Sequence, residues 1–309
     1  MIQGAEWKRA ESDEMKVTET TSAAKNARVA FQGERGAFSE EAAIRLLGEE
    51  IQLVPRPTFD ALFSSVREGL ADYALAPIEN TLAGSVVMSM DLLLESKLEI
   101  IGEVIQPIAH YLIACPGATF EQIRTVESHP VALAQCERFL RANPQMTRRA
   151  TLDTAGSVRE VIRAGDPSRA AIAGERAARI YGGSILREHI EDHHENYTRF
   201  LLLSPEATPN PAANKLSLVV QLAHAPGALH QALGVFARRS INLLKIESRP
   251  IPGHPWQYRF YLDLQASLDD PEATAALEEL KQCSDTVRVL GCYPAYRMPG
   301  DDSKQVKSR

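Results

Sequence analysis

The chain has 309 residues, 44% of them hydrophobic, and a net charge of −6, which fits a globular protein long enough for more than one core. The acidic balance and the lack of a basic stripe argue against a nucleic-acid partner, and no apolar run approaches the ~18–20 residues of a membrane helix. Cys115, Cys136, Cys283 and Cys292 are widely spaced with no C-x-x-C pair, as expected of free thiols in a reduced, cytoplasmic protein.

Residues 1–26 are polar and mixed in charge, and are expected to be a disordered tail or an upstream start. From Arg28 the texture changes to alternating strands and helices. "RVAF", "IQLVP" and "YALAP" read as strands. Between them lie the helices "SEEAAIRLL", with Ser39 as expected N-cap, and "TFDALFSSVREG", capped by Thr58. A helix in "VVMSMDLLLES" and a strand in "LEIIGEVI" follow. The βαβαβ order predicts an α/β lobe with a parallel-type sheet over about 27–106, joined later by 196–204. A second lobe, about 107–195, starts with "AHYLIAC" and "TVES". It continues through a helix over "PVALAQCERFLRAN" with Pro130 in first position, then "TRRATL", "SVREVIRAG", "AAIA", "ERAARIYG" and "SILREHI". "TRFLLLS" is the final strand of this region. A cleft between two lobes is a favoured ligand site.

The prolines of "PEATPNPAAN" mark a linker over 205–213. Beyond it, 214–294 reads βαββαβ, a ferredoxin-like unit of two strand–helix–strand halves, and 295–309 is a tail. "LSLVVQL" and "YRFYLDL" alternate, with Tyr258, Phe260, Leu262 and Leu264 expected inward. The helices repeat apolar residues at Leu229, Leu233 and Phe236 and at Ala273, Leu277 and Leu280.

Several strand ends carry polar loops, where open α/β sheets bind ligands. "FQGERGAFSEEAA" joins a strand to a helix N-terminus, a ready anion site or a plain turn. "PIENTLAGSV" offers Asn80, Thr81 and Ser85. "ESHPVALAQC" offers Ser128, His129 and Gln135, and "LDTAGS" offers Thr154 and Ser157. Each alone is more often a helix cap; together, in both lobes, they suggest a ligand-lined cleft. "HIEDHHE" spaces His189 and His193 like a helical metal pair, but with no third ligand in register it reads as a solvated turn. No G-x-S-x-G, P-loop or H-E-x-x-H motif is present.

The segments "GERGAFSEEAA", "PIENTLAGSV", "ESHPVALAQC", "DTAGS" and "NYTRF", in this order, resemble the prephenate dehydratase family, and the unit from Asn214 to Tyr293 resembles an ACT domain. The resemblance implies a two-lobed catalytic region like a periplasmic binding protein, working without cofactor or metal. It implies decarboxylating dehydration of prephenate to phenylpyruvate on the way to L-phenylalanine. It puts the catalytic hydroxyl at Thr198, substrate contacts at Arg199, Phe200, Asn80, Thr81, Ser39, Ser128, His129, Gln135, Thr154 and Ala155, and a carboxylate partner in Arg199. "PGAL" and "IESRP" resemble phenylalanine-binding motifs. They imply an effector site at Gly227, Ala228, Leu229, Asn242, Leu243, Glu247, Ser248 and Arg249, in a homodimer or homotetramer built through the ACT domain. This chain departs from the family with Ala37 for a threonine, Asp153 in the "DTAG" stretch, which also resembles arogenate dehydratases, and His230 after "GAL". Arogenate dehydratase is thus the rival enzyme, and a non-catalytic cytosolic amino-acid sensor the rival outside catalysis.

Overall fold

The computed structural model describes residues 25–207 and 209–297, so the expected tails lie almost wholly outside the described residues. Lobe 1 is built on strands β1 (Arg28–Gln32), β2 (Gln52–Arg56), β3 (Tyr73–Asn80), β4 (Gly84–Ser85), β5 (Glu99–Pro107) and, from far downstream, β11 (Tyr197–Ser204). The sheet runs β2-β1-β3-β11-β5, with β4 beside β3. It is mixed rather than parallel: β1 is parallel to β2 and β3, but β11 inserts antiparallel to both β3 and β5. The late strand comes back from lobe 2 rather than through a crossover helix, so it enters from the opposite end.

Helix α1 (Phe38–Leu47) covers one face of this sheet, packing Ala42, Ala43 and Leu47 against Val29, Leu75, Phe200 and Leu202. Its N-cap is Ala37, not Ser39, which lies within the first turn. Helices α2 (Phe59–Arg67) and α3 (Val87–Glu95) cover part of the other face. Thr58 does cap α2, its hydroxyl accepting from the Ala61 N–H at 3.1 Å.

Lobe 2 holds strands β6 (Tyr111–Ala114), β7 (Thr125–Ser128), β8 (Thr147–Ala150), β9 (Arg169–Ala173) and β10 (Ser184–Arg187), ordered β10-β6-β9-β7-β8. The long helix expected after Pro130 breaks at Cys136 (φ −115°) into α4 (Pro130–Gln135) and α5 (Glu137–Ala142). Helices α6 (Thr154–Ala164) and α7 (Glu175–Tyr181) complete it. His189 and His193 do not sit on a helix: residues 188–196 are irregular, and it is His189 and His194 that flank the buried Glu191.

The third unit has strands β12 (Lys215–Gln221), β13 (Asn242–Ile251), β14 (His254–Gln265) and β15 (Thr286–Tyr293), ordered β13-β14-β12-β15, with helices α8 (Ala228–Arg238) and α9 (Pro271–Gln282). The two helices close one face over Leu216, Leu218, Leu262 and Leu264. Tyr258, expected inward, is 39% exposed, since it lies beyond the helices' cover. The other face of the sheet lies on lobe 1. Val219, Tyr261, Leu290 and Tyr293 share one core with Ile100, Leu201 and Leu203. The strands touch so closely that a Cβ on Gly291 would lie 2.1 Å from the Ile100 carbonyl oxygen.

A buried ionic cluster sits in this seam. Arg199 donates to Glu103 (2.7 Å), Asp263 (2.6 Å) and the Tyr293 hydroxyl (2.9 Å), and Lys215 donates to Glu103 at 2.9 Å. Ser217 donates to Asp263 at 2.5 Å, so its oxygen receives the Tyr293 hydroxyl at 2.7 Å. Burial works against the charged guanidinium, yet Tyr293, Asp263 and Glu103 hold its pKa above the ordinary arginine value. Two cations face two carboxylates, so the cluster is neutral as a set and every removal leaves a buried charge. Arg199→Leu is expected to cost about 3–5 kcal/mol, lowering the melting temperature by about 10 °C on a scale of 2–4 °C per kcal/mol. Thermal denaturation followed by circular dichroism checks this.

Candidate active site

The two lobes enclose a cleft of about 470 Å³, within the usual range for small-molecule sites. Strand alternation decides what reaches it. Along β11 the side chains of Thr198, Phe200 and Leu202 point to the α1 side, and those of Arg199, Leu201 and Leu203 to the side of the third unit. Thr198 therefore lines the cleft beside Asn80. Arg199 does not: its guanidinium is spent on Glu103, Asp263 and Tyr293, which corrects the expected carboxylate contact. Phe200 faces the same way as Thr198 but lies deeper, 2% exposed under α1, so it packs the core. The apolar walls come instead from Phe38, Phe59, Pro77, Ile108 and Val131.

Of the other expected contacts, Ser39, Asn80, His129, Gln135 and Thr154 line the cleft. Ser128 is fully buried and gives its hydroxyl hydrogen to the Ile172 carbonyl at 2.6 Å, a structural role. Ala155 is likewise buried, in the core that α6 shares with β6, β9 and α7. Thr81 joins the loop ends: its hydroxyl donates to the Glu195 carbonyl (3.1 Å) and accepts from the Tyr197 N–H (3.0 Å).

The N-termini of α1 and α6 both open on the cleft, and their partial positive charge suits an anion. Asp153 caps α6 by accepting from the Gly156 N–H at 2.5 Å and also lines the cleft. Burial pushes the pKa of the Asp153 carboxyl up and that of the His129 imidazole down. One cleft residue, and one buried behind the cleft wall, escaped the sequence reading. Asn196 is fully buried and bonded to both Asn80 and Gln135. His110, 2% exposed, lines the cleft and meets Gln135 at 2.8 Å. The available signals were an asparagine opening the "NYTRF" stretch and a lone histidine in an apolar run.

In the third unit, Gly227 takes a left-handed turn (φ +83°) into α8, followed by Ala228 and Leu229, the latter packed on the domain core. Leu243 also packs on that core, and Asn242 donates to Gln265 at 3.2 Å. Glu247 and Arg249 turn toward lobe 1, where Glu247 accepts from Ser85 (2.8 Å) and Arg249 donates to Asp91 (2.8 Å). Ser248 is exposed, on the opposite side of β13. Within one chain these residues do not converge on a single pocket.

The lobes meet tightly behind the cleft. Glu40, fully buried, accepts from Arg35 and from Arg176 across the lobe boundary, both at 2.7 Å. Arg159 pairs with Glu34, and the Tyr181 hydroxyl donates to the Arg35 carbonyl. Gly36 stands at φ +84°, and a Cβ there would lie 2.8 Å from the Ala177 Cα.

These features define a two-lobed small-molecule enzyme carrying a ferredoxin-like domain on its site strand. The family model for prephenate dehydratase matches residues 29–208, and that for the ACT domain matches 217–282. An arogenate dehydratase/prephenate dehydratase from the chloroplast of Arabidopsis thaliana is 43% identical over 90% of this chain and 75% of its own length. The prephenate dehydratase of Arthrobacter aurescens, solved with L-Phe, has a TM-score of 0.79 at 33% identity, covering 86% of this chain and 89% of that one. A structure described as a quorum quenching acylase has a TM-score of 0.80 at 33% identity, covering 87% and 98%. The chain belongs to the prephenate dehydratase family of carbon–oxygen lyases and bears a C-terminal ACT domain.

Gly36→Ala is expected to part the lobes at their tightest point. It combines a left-handed backbone, costing about 1–2 kcal/mol, with a backbone clash. The expected outcome is a rise in KM of about tenfold with a lower melting temperature, read from steady-state kinetics and a thermal melt.

Proposed function

We propose that the chain converts prephenate to phenylpyruvate, with Thr198 as the donor to the departing hydroxyl. One observation carries this reading: the Asn80 amide donates to the Thr198 oxygen at 3.0 Å, which leaves the hydroxyl hydrogen free for the cleft. The C–C bond to the ring carboxylate breaks, its electron pair completes the aromatic ring, and the C4–O bond releases hydroxide. That hydroxide takes up a proton and leaves as water beside CO2. Aromatisation drives the reaction, so the protein has to hold a dianion and steady the leaving oxygen. Helix N-termini and neutral donors suit the first task, and Thr198 suits the second. A threonine is a weak acid, so it serves by hydrogen bonding, with solvent as the proton source.

Arogenate is a second reading that Asp153 favours. A carboxylate on the cleft wall is a partner for the amino group that replaces the prephenate ketone. Amide hydrolysis finds no such support: among the described residues, Thr198 receives an amide N–H and has no base within hydrogen-bond distance.

L-Phenylalanine is the effector in this reading, supported by the ACT domain and the "IESRP" strand. Glu247 of that strand holds Ser85, a cleft residue, which offers a direct link between the two sites. The edge strand β13 and its hairpin expose Leu244, Ile246, Trp256 and Tyr258, which supports a homodimer or homotetramer formed through this domain. The four cysteines are unpaired, which suits a reducing compartment, in our reading the cytoplasm.

Thr198→Ala is expected to lower kcat about 10²-fold or more with a small change in KM, the pattern of a donor used in the transition state. The absorbance of phenylpyruvate in alkali reads the rate, with and without L-phenylalanine. Near-normal turnover sinks the assignment. Asp153→Asn keeps the helix cap and removes the charge. It should cut kcat/KM for arogenate by about tenfold, the worth of one charge-assisted hydrogen bond, and leave that for prephenate unchanged or higher. Paired kinetics on the two substrates checks this.

A further inference from the structure

We propose that Asn196 and His110 are positioning residues that set the polarity of the cleft, holding both Thr198 and Gln135 as hydrogen-bond donors toward the substrate. The inference rests on the dehydratase reading of the cleft and adds residues to it.

Two main-chain donors fix the first orientation. The Asn80 Oδ1 accepts from the N–H groups of Leu82 (3.0 Å) and Ala83 (2.8 Å). Main-chain N–H groups can only donate, so this end of the amide is the oxygen. Asn80 Nδ2 is then the donor, its two hydrogens shared among Asn196 Oδ1 (2.8 Å), Thr198 Oγ1 (3.0 Å) and the Tyr197 carbonyl (3.1 Å). With its oxygen occupied, Asn196 turns its nitrogen to Gln135 Oε1 at 3.1 Å. That oxygen also faces His110 Nε2 at 2.8 Å, so His110 must carry its hydrogen on Nε2. Each orientation follows from the one before it, across four side chains and both lobes.

Two consequences face the cleft. The Gln135 oxygen is taken twice, so its amide N–H groups are left for a ligand acceptor. The Thr198 oxygen is taken by Asn80, so its hydrogen is left for the leaving group. Had the chain run the other way, Gln135 would turn a carbonyl oxygen toward a substrate carboxylate. Asn196 and His110 are 0% and 2% exposed, so water does not scramble the sequence of donors. The bare Nδ1 of His110 is buried without a partner among the described residues, a cost that a purely structural histidine would have no reason to carry. Burial also lowers the His110 pKa, in keeping with a neutral ring.

The test has two arms. In ¹⁵N-histidine-labelled protein, His110 should appear as the neutral Nε2–H tautomer. An Nδ1–H tautomer or an imidazolium would overturn the proposal. In kinetics with prephenate and arogenate, His110→Gln, which keeps a donor near the Nε2 position, should stay within about threefold of wild-type kcat/KM. His110→Leu fills the space but donates nothing, and Asn196→Asp offers Gln135 only acceptors. Each should lose about tenfold to hundredfold, the range for a wrong-way buried polar contact, mainly as a raised KM. A packing role predicts instead that the glutamine and leucine variants lose activity equally, in step with their melting temperatures, and that result also overturns the inference. If the wild type turns over neither substrate, the dehydratase reading fails by itself, while the tautomer spectrum still decides the polarity of the chain.

Discussion

The insertion of β11 between β3 and β5, with Arg199 locked into the ACT sheet, is the constraint on which the other features rest. One strand carries Thr198 on the face that reaches the cleft and Arg199 on the face that reaches Asp263 and Tyr293. Buried ion pairs contribute little net stability against well-packed apolar side chains, but they tolerate no misalignment. The seam is accordingly exacting in register: Gly291 against Ile100 leaves no room for a side chain, and Arg199 must find three partners. A shift of the ACT sheet is a shift of the strand that bears Thr198. Effector coupling of the usual 1–3 kcal/mol needs no longer route than that.

The cleft itself works by restraint. Burial biases its two histidines toward the neutral form, and its positive character comes from helix ends and amides. Fixed dipoles of this kind cost no reorganisation when charge moves from a ring carboxylate to a leaving oxygen. A lysine or arginine in their place would hold the carboxylate more tightly and oppose its loss as neutral CO2.

Much of this was legible in the sequence. Helix and strand periodicity located nearly every element, since each buries a regular face. The polar loops at strand ends pointed to Asn80, Gln135 and Thr154, which the fold does bring to one cleft. What failed was the reading of Thr198, Arg199 and Phe200 as one cluster. Neighbours along a strand face opposite ways, and the partners of Arg199 lie 64 and 94 residues further on. Local pattern carries no trace of such contacts. Ser128 and Ala155 failed for a related reason: a strand end or helix start offers polar positions, but the depth of each depends on layers packed above it. Asn196 and His110 were missed because buried polar residues look like capped turns until their partners are known.

The same topology fixes an order of assembly. Lobe 1 lacks the inner strand that joins β3 to β5 until lobe 2 has been made, and that strand exposes Arg199 until residues 263 and 293 arrive. During synthesis, at about 5–20 residues per second, the first hundred residues wait roughly 5–20 s for β11 and longer for the partners of its arginine. Lobe 2, contiguous from β6 to β10, can close first. The nascent chain is thus finished from the middle outward, and the active strand becomes complete only when Tyr293 has left the ribosome.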